Sequence, residues 1–286
     1  LLTTSKLVLI SLLLSGVAMA APGETALDFL NLPPCAVSAA MGRGGYAFIT
    51  GPDAVFGNPA MLGRSTALSA SHQELLLDTR ADAIAAGIGL GRGWSVGLAA
   101  IVFSAGYIQG YSEGNLKTNS IDAGDRLLKF ALAYDGRVAI GLSVSSYYQA
   151  LADRTARGIG FGGGVAAETG PGRLALTADN IGPRFGSGGT SAPLPTRTSL
   201  SGWLPLHSGM FETTIDIVFK WSDGFGGALG VQYMPLDGFA LRAGSNTADP
   251  LTFGFRLGAG RFSVDYSYMP ISEFGDKHII GILLAK

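Results

Sequence analysis

The segment Phe211-Glu212-Thr213-Thr214-Ile215-Asp216-Ile217-Val218-Phe219-Lys220-Trp221 has a period of two. Its odd positions carry Phe211, Thr213, Ile215, Ile217, Phe219 and Trp221, and its even positions Glu212, Thr214, Asp216, Val218 and Lys220. Successive side chains of a strand point to opposite faces. The segment is therefore a ribbon with one oily face, closed at both ends by aromatics, and one face bearing three charges. Arg261 to Tyr268 repeats the arrangement: Phe262, Val264, Tyr266 and Tyr268 alternate with Arg261, Ser263, Asp265 and Ser267.

Working outward, 14 segments read in this way: 64–74, 80–90, 94–104, 126–134, 137–149, 157–168, 173–181, 196–205, 211–221, 225–234, 239–245, 250–259, 261–269 and 276–285. Most have the length of about 9–11 residues that a tilted strand needs to cross a bilayer. A soluble sandwich or barrel also alternates, but its strands average about 5–6 residues and its apolar face turns inward. Here the face opposite the oily one is small or charged, which would pack a poor dry core. In lipid, only a closed barrel satisfies every strand's backbone groups. The pattern predicts an all-β fold, a transmembrane antiparallel β-barrel of about 14 strands over residues 64–286.

The connections agree. Every second one is tight: Gly91 to Gly93, Asp135-Gly136, Gly170 to Gly172, Leu206 to Met210, Pro235 to Gly238, and Gly260. The other set includes 105–125, 150–156 and 182–195, which read as long polar loops. Tight turns on one rim and long loops on the other are the habit of outer-membrane barrels.

Composition excludes other classes. Charged residues make up 14% of the 286, against about 25% in soluble domains. The balance of 20 Lys+Arg and 21 Asp+Glu leaves no basic excess for nucleic acid. One cysteine, Cys35, and three scattered histidines, His72, His207 and His278, offer neither a disulfide nor a metal-ligand spacing. No cofactor is expected. Gly87 to Gly93 and Gly158 to Gly162 resemble nucleotide-binding glycines, but no helix follows either. His72 lies near Ser69 and Ser71, with nothing in the sequence to orient it as a base. No catalytic residue is expected, and the chain is read as a non-enzyme.

Lys6 followed by the apolar run Leu7 to Ala20, ending Ala18-Met19-Ala20, predicts a signal peptide over 1–20. Residues 21–63 do not alternate and hold Pro22, Pro33, Pro34, Pro52 and Pro59. A barrel of this size approaches an open channel, so this segment is expected to plug it. Gly87, Gly89, Gly158, Gly160, Gly162 and Gly164 would let the plug backbone come close. A luminal polar network around it is expected from Arg173, Asp179, Arg197, Glu212, Asp216, Arg242, Arg256 and Asp265, with Lys129, Glu168, Lys220 and Arg261 also inward.

Ala40-Met41-Gly42-Arg43-Gly44-Gly45-Tyr46-Ala47 and Gly51-Pro52-Asp53-Ala54-Val55-Phe56-Gly57-Asn58-Pro59-Ala60 resemble the start of the PorV/PorQ family, part of the wider FadL-like superfamily. Leu68 to His72 is similar to its first strand, Ala178 to Gly182 to a mid-barrel element, and Lys277 to Ile280 to its last strand. Asn58-Pro59-Ala60 is the most specific element and marks the plug motif. Asn58 is expected either to hydrogen-bond plug backbone or merely to form a turn before Pro59.

The resemblance implies a 14-stranded barrel with an N-terminal hatch in the outer membrane of a Gram-negative-type bacterium. It implies two roles: docking or shuttling of proteins in type IX secretion, or uptake of fatty acids and other hydrophobic compounds. The loop 105–125 is polar, so docking by exterior loops is the first expectation and transport the alternative. Implied partners are outer-membrane lipid, secretion-system proteins or their clients, or a hydrophobic small molecule.

Overall fold

The computed structural model describes residues 25–286 apart from 76–77, 107, 112–116, 122, 153, 188, 223 and 271–275. The signal segment expected over 1–20 lies outside the described residues. The wall consists of β1 (Ala67–Glu74), β2 (Arg80–Gly91), β3 (Trp94–Ser104), β4 (Ala123–Tyr134), β5 (Val138–Leu151), β6 (Arg154–Thr169) and β7 (Gly172–Ile181). It continues with β8 (Arg197–Leu206), β9 (Phe211–Lys220), β10 (Gly224–Leu236), β11 (Phe239–Asn246), β12 (Thr252–Ala259), β13 (Phe262–Met269) and β14 (Lys277–Ala285). Each strand pairs antiparallel with the next, and β1 pairs with β14, which closes the ring. The fold is the closed 14-strand antiparallel barrel that the alternation predicts.

The oily rows face outward. Leu128, Phe130 and Leu132 on β4, and Ile140, Leu142 and Val144 on β5, are exposed on the outer surface, while Lys129, Ala131, Ala133, Ser143 and Ser145 between them are buried inside. Such a belt far exceeds the apolar patches of soluble monomers and matches the lipid-facing band of membrane barrels. Aromatic pairs edge the turn side, where Trp94 meets Tyr134 at 5.1 Å and Phe211 meets Tyr233 at 4.6 Å between ring centroids. On the loop side, Phe219 and Phe225 pair at 4.8 Å.

The loop side departs from expectation. Segment 150–156 is not a long loop, because β5 and β6 stay paired out to Leu151 and Arg154. Backbone pairing continues past the belt, where Leu151, Arg154 and Thr155 are exposed while Ala156 already joins the luminal cluster. Segments 105–125 and 182–195 contain short hairpins, Ile108–Tyr111 with Lys117–Ile121 and Phe185–Ser187 with Thr190–Ala192.

Residues 25–63 lie inside the ring. Helix α1 (Ala36–Ala40) packs against β11 to β14. Helix α2 (Ala54–Gly57) and its flanking turns, Gly51–Asp53 and Pro59–Met61, pack against β1 to β6. The lumen is not hydrated salt bridges throughout. Leu27, Phe29, Leu30, Val55, Phe56 and Leu62 form a dry cluster with Ala83, Ala85, Ala99, Ala131 and Ala133 of the wall. Small wall residues leave room, and the inner segment supplies the bulk that the wall's inner face lacks.

Candidate functional site: the filled lumen and a gap in its wall

Asn58 is buried and does two jobs. Its Nδ2 donates to the carbonyl of Tyr46 at 2.9 Å, and its Oδ1 accepts from the N–H of Ala60 at 3.2 Å. The second bond caps the turn Pro59–Met61, and the first ties that turn back to the preceding loop. The bare faces of Gly141 and Gly164 admit this motif. A Cβ at Gly141 would strike the backbone of Pro59 and Ala60, and one at Gly164 would strike Asn58 Oδ1.

The expected polar network is several separate clusters. In one, Lys129 Nζ lies 2.7 and 2.9 Å from the two oxygens of Asp179, with Arg197 at 3.6 Å. In a second, Asp265 receives Arg242 at 2.5 Å and Arg256 at 2.9 Å, and Gln232 links Arg242 to Glu212. In a third, Arg173 pairs with Glu168 at 2.6 Å, donates to the carbonyl of Ala47 at 3.1 Å and lies over Trp203. Asp216 stands apart. It accepts from the N–H groups of Gly45 and Tyr46, at 2.8 and 3.3 Å, and from the Ser201 hydroxyl. Arg261 sits exposed at the turn between β12 and β13 rather than in the lumen.

The sequence assigns Tyr147 and Gln232 no role and marks Asn180 only within the mid-barrel resemblance. Asn180 breaks alternation: between β6 and β7 the register steps from Phe161↔Ile181 to Gly163↔Ala178. The extra residue is a β-bulge, with Asn180 at φ 56°. Asp179 and Asn180, adjacent in sequence, are therefore both buried. Asn180 accepts from the Tyr147 hydroxyl at 3.1 Å and donates to the carbonyl of Pro195 at 3.3 Å.

This bulge borders a break in the backbone ladder, bridged by the Thr196 hydroxyl, which donates to the Asn180 carbonyl at 2.8 Å. Pairing between β7 and β8 ends at Asp179↔Arg197, although β7 runs on to Ile181. Beside it lies a cavity of about 450 Å³ lined by Ala178, Ile181, Leu194, Thr198 and Trp221. Ile181 and Trp221 are exposed to the outside, whereas Leu194 belongs to the dry luminal cluster. The loop that carries Leu194 turns inward: Phe185 packs on Tyr147, and Pro193 accepts from the N–H of Ala26 at 2.9 Å. A second cavity, of about 140 Å³, lies inside and is lined by Leu32, Cys35, Tyr46, Asp53, Arg197 and Phe225 among others. Arg197 lines the inner cavity and its neighbours Thr196 and Thr198 line the outer one. The Arg197 guanidinium lies 5.3 Å from the Tyr46 ring centroid. In the inner cavity, burial pushes the Asp53 carboxyl above its ordinary value, and the hydrogen bond from Ser69 offsets this only in part. Burial also pushes the Cys35 thiol well up.

The Ralstonia pickettii toluene transporter TbuX superposes with a TM-score of 0.62 at 15% identity, over 88% of this chain and 98% of that one. The monoaromatic hydrocarbon channel CymD gives 0.64 at 15% identity, over 91% and 99%. A Pseudomonas aeruginosa FadL homologue gives 0.53 at 11%, over 87% and 96%. The fold is that of the FadL-like outer-membrane barrels. No family model and no curated protein matches the sequence.

On this FadL-like wall, His72 is oriented after all: its Nδ1 lies 2.7 Å from Asp82 Oδ1. Both groups face outward, however, while Ser69 and Ser71 bond inward to Asp53 and the carbonyl of Pro34. The sheet separates the would-be nucleophile from its base, so the three form no triad.

Proposed function

We propose that the chain is an outer-membrane channel for small apolar molecules, with residues 21–63 as its plug. The observation that carries this is the gap between β7 and β8. A lipid-side cavity meets the luminal cluster at Leu194, where the backbone ladder between β7 and β8 has ended and side-chain bonds of Asn180 and Thr196 hold the two together. An apolar solute in the membrane can reach the interior there without entering water. The inner cavity of about 140 Å³ is the size of an engineered apolar cavity of ~150 Å³ that holds benzene. Its size suits a compact solute, and its lining sets apolar Leu32, Ile49 and Phe225 beside polar Asp53, Asn58 and Arg197. The hydrocarbon transport named for the matched structures supports the same reading.

The test is uptake of a labelled monoaromatic hydrocarbon by cells of an outer-membrane host with and without the protein. Expression should speed uptake, and Ala178→Trp, which fills the lateral cavity, should return it to the host's rate. Uptake that ignores the protein, or an Ala178→Trp barrel that transports normally, would overturn the proposal.

Docking of secretion clients, the role attached to the PorV/PorQ resemblance, is the second reading. It draws on exterior loops, but the loop 182–195 sends Phe185 and Leu194 into the lumen instead of offering them outward. A client retained through gentle solubilisation, together with no uptake, would favour it.

A further inference from the structure

Two arginines on the lipid-facing surface are unexplained by anything inside the barrel. Arg126 on β4, Tyr148 on β5 and Arg157 on β6 are successive register partners. They share the face of Leu128, Phe130, Val144 and Ile159, so they project outward. Each guanidinium carbon lies 5.6 Å from the centroid of the Tyr148 ring. Among the described residues, neither arginine forms an ion pair or a hydrogen bond.

Depth explains how they are tolerated. Arg126 is eight residues along β4 from Tyr134, which belongs to the turn-side aromatic edge. At ~3.4 Å per residue and a tilt of about 40°, that is ~21 Å of height, against an apolar band of about 25 Å. The arginines therefore stand at the opposite interface, at headgroup level, where a lipid-facing cation is cheap. Tyrosine suits the same depth. Its ring holds both guanidinium groups by cation–π attraction, so the two cations sit within about 11 Å of each other with their N–H donors unspent. A guanidinium fork matches a phosphate in both shape and charge.

We propose that Arg126, Tyr148 and Arg157 form a binding site for a phosphorylated glycolipid of the outer leaflet, the two arginines clasping its phosphate monoesters while its acyl chains lie along Leu128 and Ile159. The inference rests on the membrane setting of the barrel and not on what passes through it. The site gives β4 to β6 a fixed lipid annulus, and it sits on the loop-side rim.

The experiment is native mass spectrometry of the detergent-purified full chain with added lipid A carrying two, one or no phosphates. Arg126→Ala/Arg157→Ala is compared with a control, Arg92→Ala/Arg137→Ala, which removes the same charge from the turn side. The wild-type and control barrels should retain the bisphosphorylated lipid equally. The Arg126/Arg157 variant should bind it at least tenfold more weakly, and each phosphate removed should weaken binding to the wild type. Inorganic phosphate at millimolar concentration should not displace the lipid. Equal retention by the double variant, or equal binding of the dephosphorylated lipid, would overturn the site. Displacement by inorganic phosphate would make it a free-anion site and would also overturn it. Heat-modifiable gel mobility verifies that each variant is folded. Hydrocarbon uptake by the double variant should match the wild type, which separates failure of this site from failure of the channel.

Discussion

The carboxylate of Asp216, on β9 of the wall, accepts a hydrogen bond at 2.8 Å from the backbone N–H of Gly45, 171 residues away in the inner segment. The N–H of Tyr46 adds a second bond at 3.3 Å, and the Ser201 hydroxyl a third. A carboxylate buried in the lumen thus takes backbone donors of the inner segment as partners, and each side satisfies the other. Gly44 is required beside it, since a Cβ there would strike the carboxylate.

Asp216→Ala should therefore loosen the plug without opening the wall. It strands the buried N–H of Gly45, at a cost of about 1–3 kcal/mol, and the half-buried N–H of Tyr46. In planar bilayers the wild type should be quiet and the variant should show frequent openings, with Asp216→Asn between them. Indistinguishable conductance for wild type and Asp216→Ala would count against Asp216 as the latch.

Removing Asp179 should destabilise the whole barrel. Lys129 would remain buried beside Arg197 without its carboxylate, and breaking such a pair costs about 3–5 kcal/mol. Asp179→Leu combined with Lys129→Met should recover part of the loss, because it removes both charges of the close pair but leaves Arg197 without its carboxylate at 3.6 Å. Thermal unfolding in detergent measures both. A double variant no more stable than the single would show that the pair does more than cancel charge.

Gly141→Ala should displace the Asn58-Pro59-Ala60 turn, since the new methyl meets backbone and not a flexible side chain. Overpacking of this kind costs about 1–3 kcal/mol. Gly202→Ala is the comparison: its Cβ would meet side-chain methyl carbons at 3.4 and 3.6 Å. Limited proteolysis of the inner segment should speed up for Gly141→Ala alone.

Asp53 predicts a pH effect on plug stability. Burial raises its folded-state value, so the folded plug holds the proton more tightly than the unfolded chain. This contribution is greatest below the ordinary carboxylate value of about 3.9. It falls as pH rises through the window up to the raised value and is flat above it. Asp53→Asn should remove that slope in unfolding measured across acidic to neutral pH. A slope unchanged by the substitution would assign it to another group.

Much of the wall is legible in the sequence alone. Phe211 to Trp221 alternates because one face meets lipid and the other the lumen, and that constraint acts residue by residue. The fourteen strands followed from it with ends shifted by a few residues, most on the loop side, where β5 and β6 outrun the belt. Of the glycine faces, Gly87, Gly89 and Gly164 meet the inner segment, at Leu62, the Arg64 carbonyl and Asn58, whereas Gly158, Gly160 and Gly162 face Phe185, Tyr147 and Asp179 of the loop and wall, not the inner segment's backbone.

The interior was less legible. Asp265 could have paired with any inward arginine; the register places Arg256 opposite it and brings Arg242 from two strands away. Asn180 reads as an outward residue until a bulge adds one position to β7. Phe185 and Leu194 read as parts of an exterior loop until that loop folds over Tyr147 and Gly158.

Alternation is local, so the sequence by itself determined a lipid-facing strand wall, its strand number and its tight turns. Strand register, the bulge, the inward loop and the gap beside it arise from hydrogen bonds between residues far apart in the chain. Only the closed ring decided which charges meet, where the inner segment docks and where the wall opens.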